Sequence, residues 1–171
     1  GLFLHPDASV LGAARCRLRP LADYARAALV VRQTAAYTIA ALHGGLRFRN
    51  SLLAGYARPD LPGELLVGLL NSALYRALHL SRQRDARQAA FPQVKIRHLR
   101  ALPAPPDDGA ARARIQQLAA AATRDGGMTR AAREALDRAV FDLFALPTDG
   151  RAEVLAFLRD RAPRALEPSL P

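Results

Sequence analysis

Between residues 29 and 56, apolar and polar positions alternate in short runs that predict strands. The run LVVRQT turns from apolar to polar and is followed by YTIAAL. In LRFRN, at residues 46–50, the leucine and phenylalanine fall on one side and the two arginines on the other. The HGG step at residues 43–45 supplies the positive φ angles of a hairpin turn. These patterns predict a small, mainly antiparallel sheet with one buried face and one cationic face.

Residues 65–80 carry apolar side chains around almost the whole circumference of a helix, leaving only a narrow polar stripe. A helix of this kind is buried among other elements, so we expect it to be central to the domain. The run is interrupted by Asn71, Arg76 and His79 and falls short of the roughly 20 residues that cross a bilayer. Asn71 is predicted to satisfy a nearby backbone group, because buried polar side chains need partners.

The segment FPQVKIRHLRALPAPP, at residues 91–106, alternates apolar and basic residues and then stops in a proline cluster. Val94 and Ile96 are expected on the buried side of a short strand, with Lys95 and Arg97 on the other. The leucines that follow fit one helical turn, which the prolines end. The segment is predicted to join the sheet-containing core to the helices beyond it.

Helical spacing dominates after residue 106. Residues 110–124 form one predicted helix, which a DGG sequence ends. Thr129 is expected to cap the next helix and Thr148 the last one.

The predicted fold class is therefore α+β, with a small, mainly antiparallel sheet packed on a central buried helix and a C-terminal helical extension. Its parts are a core at residues 1–105, the extension at 106–162 and a loose tail at 163–171.

The chain of 171 residues has a net charge of +10, and every basic residue except Lys95 is arginine. Arginine pairs bidentately with phosphate and with guanine. The composition therefore predicts a nucleic acid or an acidic protein surface as the partner. The alternative is that the chain is basic only through the codon usage of a GC-rich genome, which replaces lysine with arginine.

Other chemistry receives little support from the sequence. Cys16 is the single cysteine, and the four histidines are scattered, so neither a disulfide within the chain nor a metal site is predicted. We expect a cytoplasmic, bacterial-type, DNA-associated protein without membrane contact, since no signal peptide pattern opens the chain.

Four segments in order resemble the C-terminal specificity region of TaqI-like N6-adenine DNA methyltransferases and of the fused restriction–modification enzymes built on them. The family pattern is an I-R-Q-T strand, a helix with L-L-N-S, then F-P-x-I-K-x-x-D-L-x-x-L-P and a helix ending V-x-x-L-Y-G-L. This chain has His98 at the acidic position and Phe144-Ala145 for Tyr-Gly. The matching segments are VVRQT (30–34), LLVGLLNSALYRALH (65–79), FPQVKIRHLRALPAP (91–105) and LDRAVFDLFALPTD (136–149).

The resemblance implies a target recognition domain that grips double-stranded DNA while a methyltransferase catalytic domain, on the same or a separate chain, flips out the adenine. S-adenosylmethionine would bind to that catalytic domain, and no cofactor is expected in this chain. The [Asn/Asp]-Pro-Pro-aromatic tetrapeptide of the family is absent, since APPDD at residues 104–108 keeps only its proline pair. No Asp…Glu-x-Lys nuclease pattern surrounds Lys95. This chain alone is therefore not expected to be an enzyme.

The candidate DNA contacts are polar and cationic residues of the strands and loops. Arginine can read guanine, while asparagine and glutamine can read adenine; loop arginines suit the phosphates. The rival interpretation is a protein-interaction module whose C-terminal helices dock a partner. The candidate residues are Arg32, Gln33, Thr34, Arg47, Arg49, Asn50, Arg82, Arg84, Arg87, Gln93, Lys95 and Arg97.

Overall fold

The structure, a computed structural model, describes residues 20–49, 51–82 and 92–167. It confirms an α+β fold with a small antiparallel sheet, a buried central helical segment and C-terminal helices. The strands are β1 (Leu29–Arg32), β2 (Ala40–Leu42) and β3 (Leu52–Gly55). The helices are α1 (Ala22–Ala25), α2 (Gly63–Asn71), α3 (Ala73–Arg82), α4 (Ile96–Arg100), α5 (Gly109–Arg124), α6 (Arg130–Leu143) and α7 (Thr148–Arg161), followed by a 3-10 turn (Pro163–Leu166).

The central strand of the sheet is β1, which pairs antiparallel with β2 on one side and β3 on the other. Because β2 and β3 are not neighbours, the HGG step does not close a hairpin between them, although Gly45 has the expected positive φ of 75°. Leu42 of β2 lies opposite Leu29 at one end of β1, and Leu52 of β3 lies opposite Arg32 at the other end.

The strand predicted at residues 46–50 is wrong, because residues 46–49 form no strand and residue 50 lies outside the described part. Leu46 is 55% exposed, so it covers no core face. Phe48 instead packs edge-on against the rings of Tyr24 and His43. Aromatic contacts thus replace ladder hydrogen bonds along this segment.

The buried helical segment is confirmed, but it is two helices rather than one. The break is at Ser72, whose backbone is extended with φ −71° and ψ 156°. Its hydroxyl donates to the Leu69 carbonyl at 2.7 Å and accepts from the Tyr75 amide at 3.3 Å. Serine suits this position because its side chain can cap a new helix start.

Side chains of α2 and α3 occupy the outer edge of β2. The Asn71 amide accepts from the Ala40 N–H at 3.0 Å and donates to the Ala40 carbonyl at 2.7 Å. Arg76 Nε donates to the Thr38 carbonyl at 3.0 Å. An edge strand otherwise presents unpaired backbone groups, and here two side chains take the place of another strand. The predicted role of Asn71 is confirmed.

The C-terminal helices follow the predicted pattern with one exception. Asp108 and Thr129 cap α5 and α6 by accepting backbone N–H groups three residues later. Thr148, however, is the first residue of α7 and does not cap it; the N-cap position belongs to Pro147, which has no side-chain bond.

The end of the described chain is packed, which differs from the loose tail predicted from residue 163. Ala165 is buried, and its carbonyl accepts from Arg76 Nη1 at 2.6 Å and from Arg133 Nη2 at 2.7 Å. Residues 168–171 lie outside the described part. Sheet and helices share one core that runs from Leu29 to Ala165, and the boundary at residues 105 and 106 stays a prediction.

A buried ion pair joins α6 to the central helices. Arg133 Nε lies 3.2 Å from Asp137 Oδ2, and Asp137 Oδ1 accepts from the Ala73 N–H, the first of α3, at 2.6 Å. Burial raises the pKa of Asp137, while the positive charge of Arg133 opposes that shift. The carboxylate therefore serves both as counterion and as helix cap.

Among the helices that the structure describes, none is long and apolar enough to cross a membrane.

Candidate nucleic-acid interface

Two segments that are far apart in sequence meet at the end of β1. The Gln33 N–H donates to the Ser51 carbonyl at 2.9 Å, and the Gln33 carbonyl accepts from the Val94 N–H at 2.7 Å. Thr34 forms an antiparallel bridge with Gln93. The predicted elements at residues 32–34 and 93–97 are therefore brought together by backbone hydrogen bonds.

Arg49 belongs to the same end of the sheet. Its carbonyl accepts from the Leu52 N–H at 3.0 Å, and Leu52 lies opposite Arg32 in the ladder. We call this region the sheet-end surface and define it as Arg32, Thr34, Arg49, Gln93 and Arg97, all of which are exposed. It combines three guanidinium groups with one amide and one hydroxyl.

The segment after Gln93 is a helix start rather than the predicted strand. Val94 is fully buried as expected, but Ile96 begins α4 and is 54% exposed. The prediction that Ile96 lies on the buried side is therefore wrong. Lys95 is the N-cap residue, and Arg97 follows in the first turn.

His98 stabilises the start of α4. Its ring nitrogens lie 3.4 Å from the Lys95 backbone nitrogen and 3.3 Å from Arg97 Nε. In a capping box, the third helical residue accepts from the N-cap N–H, which is the usual task of an acidic side chain. Nδ1 of His98 performs it here, and Arg97 Nε lies beside the other ring nitrogen.

Positive charge predominates at the sheet-end surface. Within the described residues, no carboxylate pairs with Arg32 or Arg49. Asp23 precedes β1, while Asp60 and Glu64 follow β3, so all three lie toward the opposite end of the sheet. Asp60 is moreover bound by Arg58, whose hydrogen bond lowers the pKa of that carboxyl.

Other predicted contacts are not assembled at this surface. Arg47 is exposed, but it shares no strand face with Arg49, contrary to the prediction. Arg82 is exposed and donates through Nη1 to the Ala101 carbonyl at the end of α4, at 2.5 Å, so it also holds the fold. Gln33 is half-buried and contributes mainly its backbone. Asn50, Arg84 and Arg87 lie outside the described residues.

A buried pair of histidines lies behind α4 and was not foreseen. His79 of α3 is 1% exposed, and its ring centroid is 5.6 Å from that of His98. Burial, and after it the neighbouring His98, lowers the pKa of His79 to about 4. Their separation in sequence gave no helical or strand spacing that could have paired them.

Within the described residues, no group of three or more His, Cys, Asp or Glu side chains could hold a metal ion. The expectation that this chain binds no metal or cofactor stays a prediction.

No protein-family model matches the chain, and no match was found among curated proteins or solved structures.

Proposed function

We propose that this chain recognises a specific sequence in double-stranded DNA, as the target recognition domain of an N6-adenine DNA methyltransferase or restriction–modification enzyme. The observation that carries the proposal is the sheet-end surface. There, the exposed Arg32 and Arg49, which have no carboxylate partner among the described residues, stand beside an amide and a hydroxyl. Arginines that neutralise phosphates set the register, and uncharged polar groups read base edges.

The distribution of charge favours DNA over a purely compositional origin. Residues 1–105 contain 15 Lys and Arg against 5 Asp and Glu, whereas residues 106–171 contain ten of each. Codon usage that replaces lysine with arginine would act on both parts alike. The whole excess of positive charge instead belongs to the part that contains the sheet-end surface, as phosphate binding would require.

The backbone at Ala145 supports the resemblance on which the enzyme class depends. Ala145 has a positive φ of 49° and lies just past the end of α6, where the family pattern has glycine. Glycine is the residue that adopts this conformation without steric cost. The motif therefore coincides with a structural need, although this chain fills the position with alanine.

Catalysis belongs to another domain in this proposal. The catalytic domain, on the same chain or a separate one, would bind S-adenosylmethionine and flip the adenine out of the duplex. This chain would position that domain by holding the neighbouring base pairs.

The experiment is duplex binding by the full chain over a range of salt concentrations, measured with a library of short duplexes. Binding should prefer one short sequence and weaken steeply with salt, because each neutralised phosphate releases counterions. Replacing both Arg32 and Arg49 with alanine should reduce the slope of log affinity against log salt by about 2, at roughly 0.9 per contact.

Arg114→Ala with Arg138→Ala is the matched control, since both arginines are exposed on the C-terminal helices. This control should bind DNA like the unmodified chain. No duplex affinity at low salt would overturn the proposal and favour the protein-interaction module. An equal loss in both double variants would show that the sheet-end surface has no special role.

A further inference from the structure

We infer that Thr34 and Gln93 are the residues that determine base specificity, with Gln93 reading an adenine and Thr34 reading the next base pair. This inference rests on the proposed function and assigns separate tasks within the sheet-end surface. The arginines of that surface would hold phosphates and leave the base edges to this uncharged pair.

The backbone fixes the two side chains relative to each other. Thr34 and Gln93 are partners in an antiparallel bridge, so their Cβ atoms are about 5 Å apart on one side of the chain pair. The adjacent hydrogen bond from the Val94 N–H to the Gln33 carbonyl, at 2.7 Å, holds the two segments in register. Base reading requires such preorganisation, because a mobile side chain must be ordered upon binding.

Both side chains are exposed and available. Neither makes a side-chain hydrogen bond within the described residues, whereas Arg97 and Arg82 are held by neighbouring groups. Val94, the next residue after Gln93, is fully buried and holds this part of the backbone against the core. The bridge therefore presents two hydrogen-bonding groups on a rigid base.

Their chemistry fits base edges better than phosphates. The glutamine amide N–H can donate to adenine N7 while its Oε1 accepts from the N6 amino group, which forms a bidentate pair. A threonine offers a hydroxyl to any base and a methyl to thymine. Uncharged groups contribute little to the electrostatic attraction, so their contribution should appear as sequence preference.

The test is selection of bound sequences from a randomised duplex library by the full chain and by Gln93→Ala, Thr34→Ala and Arg32→Ala variants. Gln93→Ala should lose preference for an A·T pair at one position, by about 5- to 150-fold, with an unchanged salt slope. Thr34→Ala should relax an adjacent position. Arg32→Ala should instead weaken all sequences alike and reduce the salt slope by about 0.9.

Gln117→Ala, an exposed glutamine on α5, is the matched control and should leave selection unchanged. Gln93→Glu provides a gain of function, since a carboxylate accepts from cytosine N4 and should move the preference at the same position to a C·G pair. Thermal unfolding of each variant should match that of the unmodified chain, because these side chains are exposed.

The outcomes separate the two proposals. If the unmodified chain selects a sequence and the Gln93 and Thr34 variants select it equally well, the inference is wrong while DNA recognition stands. A uniform loss with a smaller salt slope would make Gln93 a phosphate contact and would also overturn the inference. If the unmodified chain binds no duplex, both proposals fail.

Discussion

The arginines of the sheet-containing region and those of the C-terminal helices are used differently. Among the described residues beyond 105, five arginines pair with carboxylates: Arg112, Arg130, Arg133, Arg151 and Arg161. In the described part before residue 106, Arg58 has such a partner, while Arg32 and Arg49 have none. The C-terminal helices thus pair half of their arginines with carboxylates of their own, whereas Arg32 and Arg49 of the sheet-end surface have no carboxylate partner among the described residues.

This difference shows why composition alone could not decide between a DNA-binding surface and codon usage. The same residue type supports the fold where its guanidinium finds a carboxylate or carbonyl acceptor, and it can attract an anionic ligand where it finds neither. Arg133 is the extreme case, since it is buried with Asp137 and with the Ala165 carbonyl. Experiments on each region can test this comparison, and the first concerns the buried pair of Arg133 and Asp137.

Asp137→Ala should cause the largest loss of stability, about 3–5 kcal/mol in the free energy of unfolding. It would leave the guanidinium of Arg133 buried without its counterion and the Ala73 N–H without an acceptor. Chemical denaturation at neutral pH measures the effect.

Glu134→Ala is the control, because Glu134 forms an exposed i,i+4 pair with Arg130 on the same helix. Exposed pairs of this kind contribute at most about 1 kcal/mol to the free energy of unfolding. Similar losses in the two variants would mean that burial does not distinguish the ion pairs of α6.

His79 of α3 is a buried ionisable group whose burial predicts a loss of stability in acid. Its pKa of about 4 in the folded state is below the ordinary value of 6.5. Stability from this group is complete above pH 6.5 and falls toward pH 4, because the unfolded chain takes up a proton that the folded chain does not. We expect about 2 kcal/mol less stability at pH 5 than at pH 7.

Unfolding of His79→Leu at both pH values isolates this effect from other titrations. The variant should lose that part of the pH dependence, because leucine keeps the apolar contacts and carries no titrating group. An unchanged difference between pH 7 and pH 5 would assign the acid sensitivity elsewhere.

At Gly68, α2 packs tightly against α5. A Cβ at this position would lie 2.5 Å from Ile115 Cγ2 on α5. Gly68→Ala should therefore destabilise the protein by about 1–2 kcal/mol, since overpacking exceeds the gain in helix propensity. Thermal denaturation checks this loss.

Gly109→Ala at the start of α5 is the matched change, because nothing lies within 4 Å of its added Cβ. It should be neutral or slightly stabilising. If Gly68→Ala behaved in the same way, the helical extension would not pack closely on the buried helix.

The sequence predicted what depends on local pattern and missed what depends on distant partners. The burial of residues 65–80, the end of α5 at the DGG sequence and the Thr129 cap of α6 followed from spacing and residue type. The break at Ser72 was missed, because the apolar residues continue on both sides of it. A single serine hydroxyl starts the second helix there. The alternation in LRFRN was misread as a strand, since aromatic contacts with Tyr24 and His43 satisfy Phe48 without a ladder.

The candidate interface was predicted in part for the same reason. Polar residues at 32–34 and 93–97 were proposed as candidate DNA contacts from their chemistry and from the family resemblance. Their meeting through the bridge between Thr34 and Gln93 involves residues 59 positions apart, which no local pattern encodes. The buried acceptor at Ala165 was missed because its partners, Arg76 and Arg133, come from other helices.

The smallest expected effect concerns the end of α6, where this chain departs from the family pattern. The Leu146 N–H donates to the Phe141 carbonyl and the Ala145 N–H to the Asp142 carbonyl, both at 2.9 Å, which places Ala145 in the left-handed position of a Schellman motif. Ala145→Gly should raise the free energy of unfolding by about 1 kcal/mol, because glycine has no Cβ to strain there. The reverse change is Gly126→Ala, at a residue just past α5 with a φ of 72°. It should lower the free energy of unfolding by a similar amount. Equal and opposite shifts would mean that the same backbone requirement ends both helices. A loss of stability in Ala145→Gly would show that the alanine methyl contributes more by packing than it costs in strain.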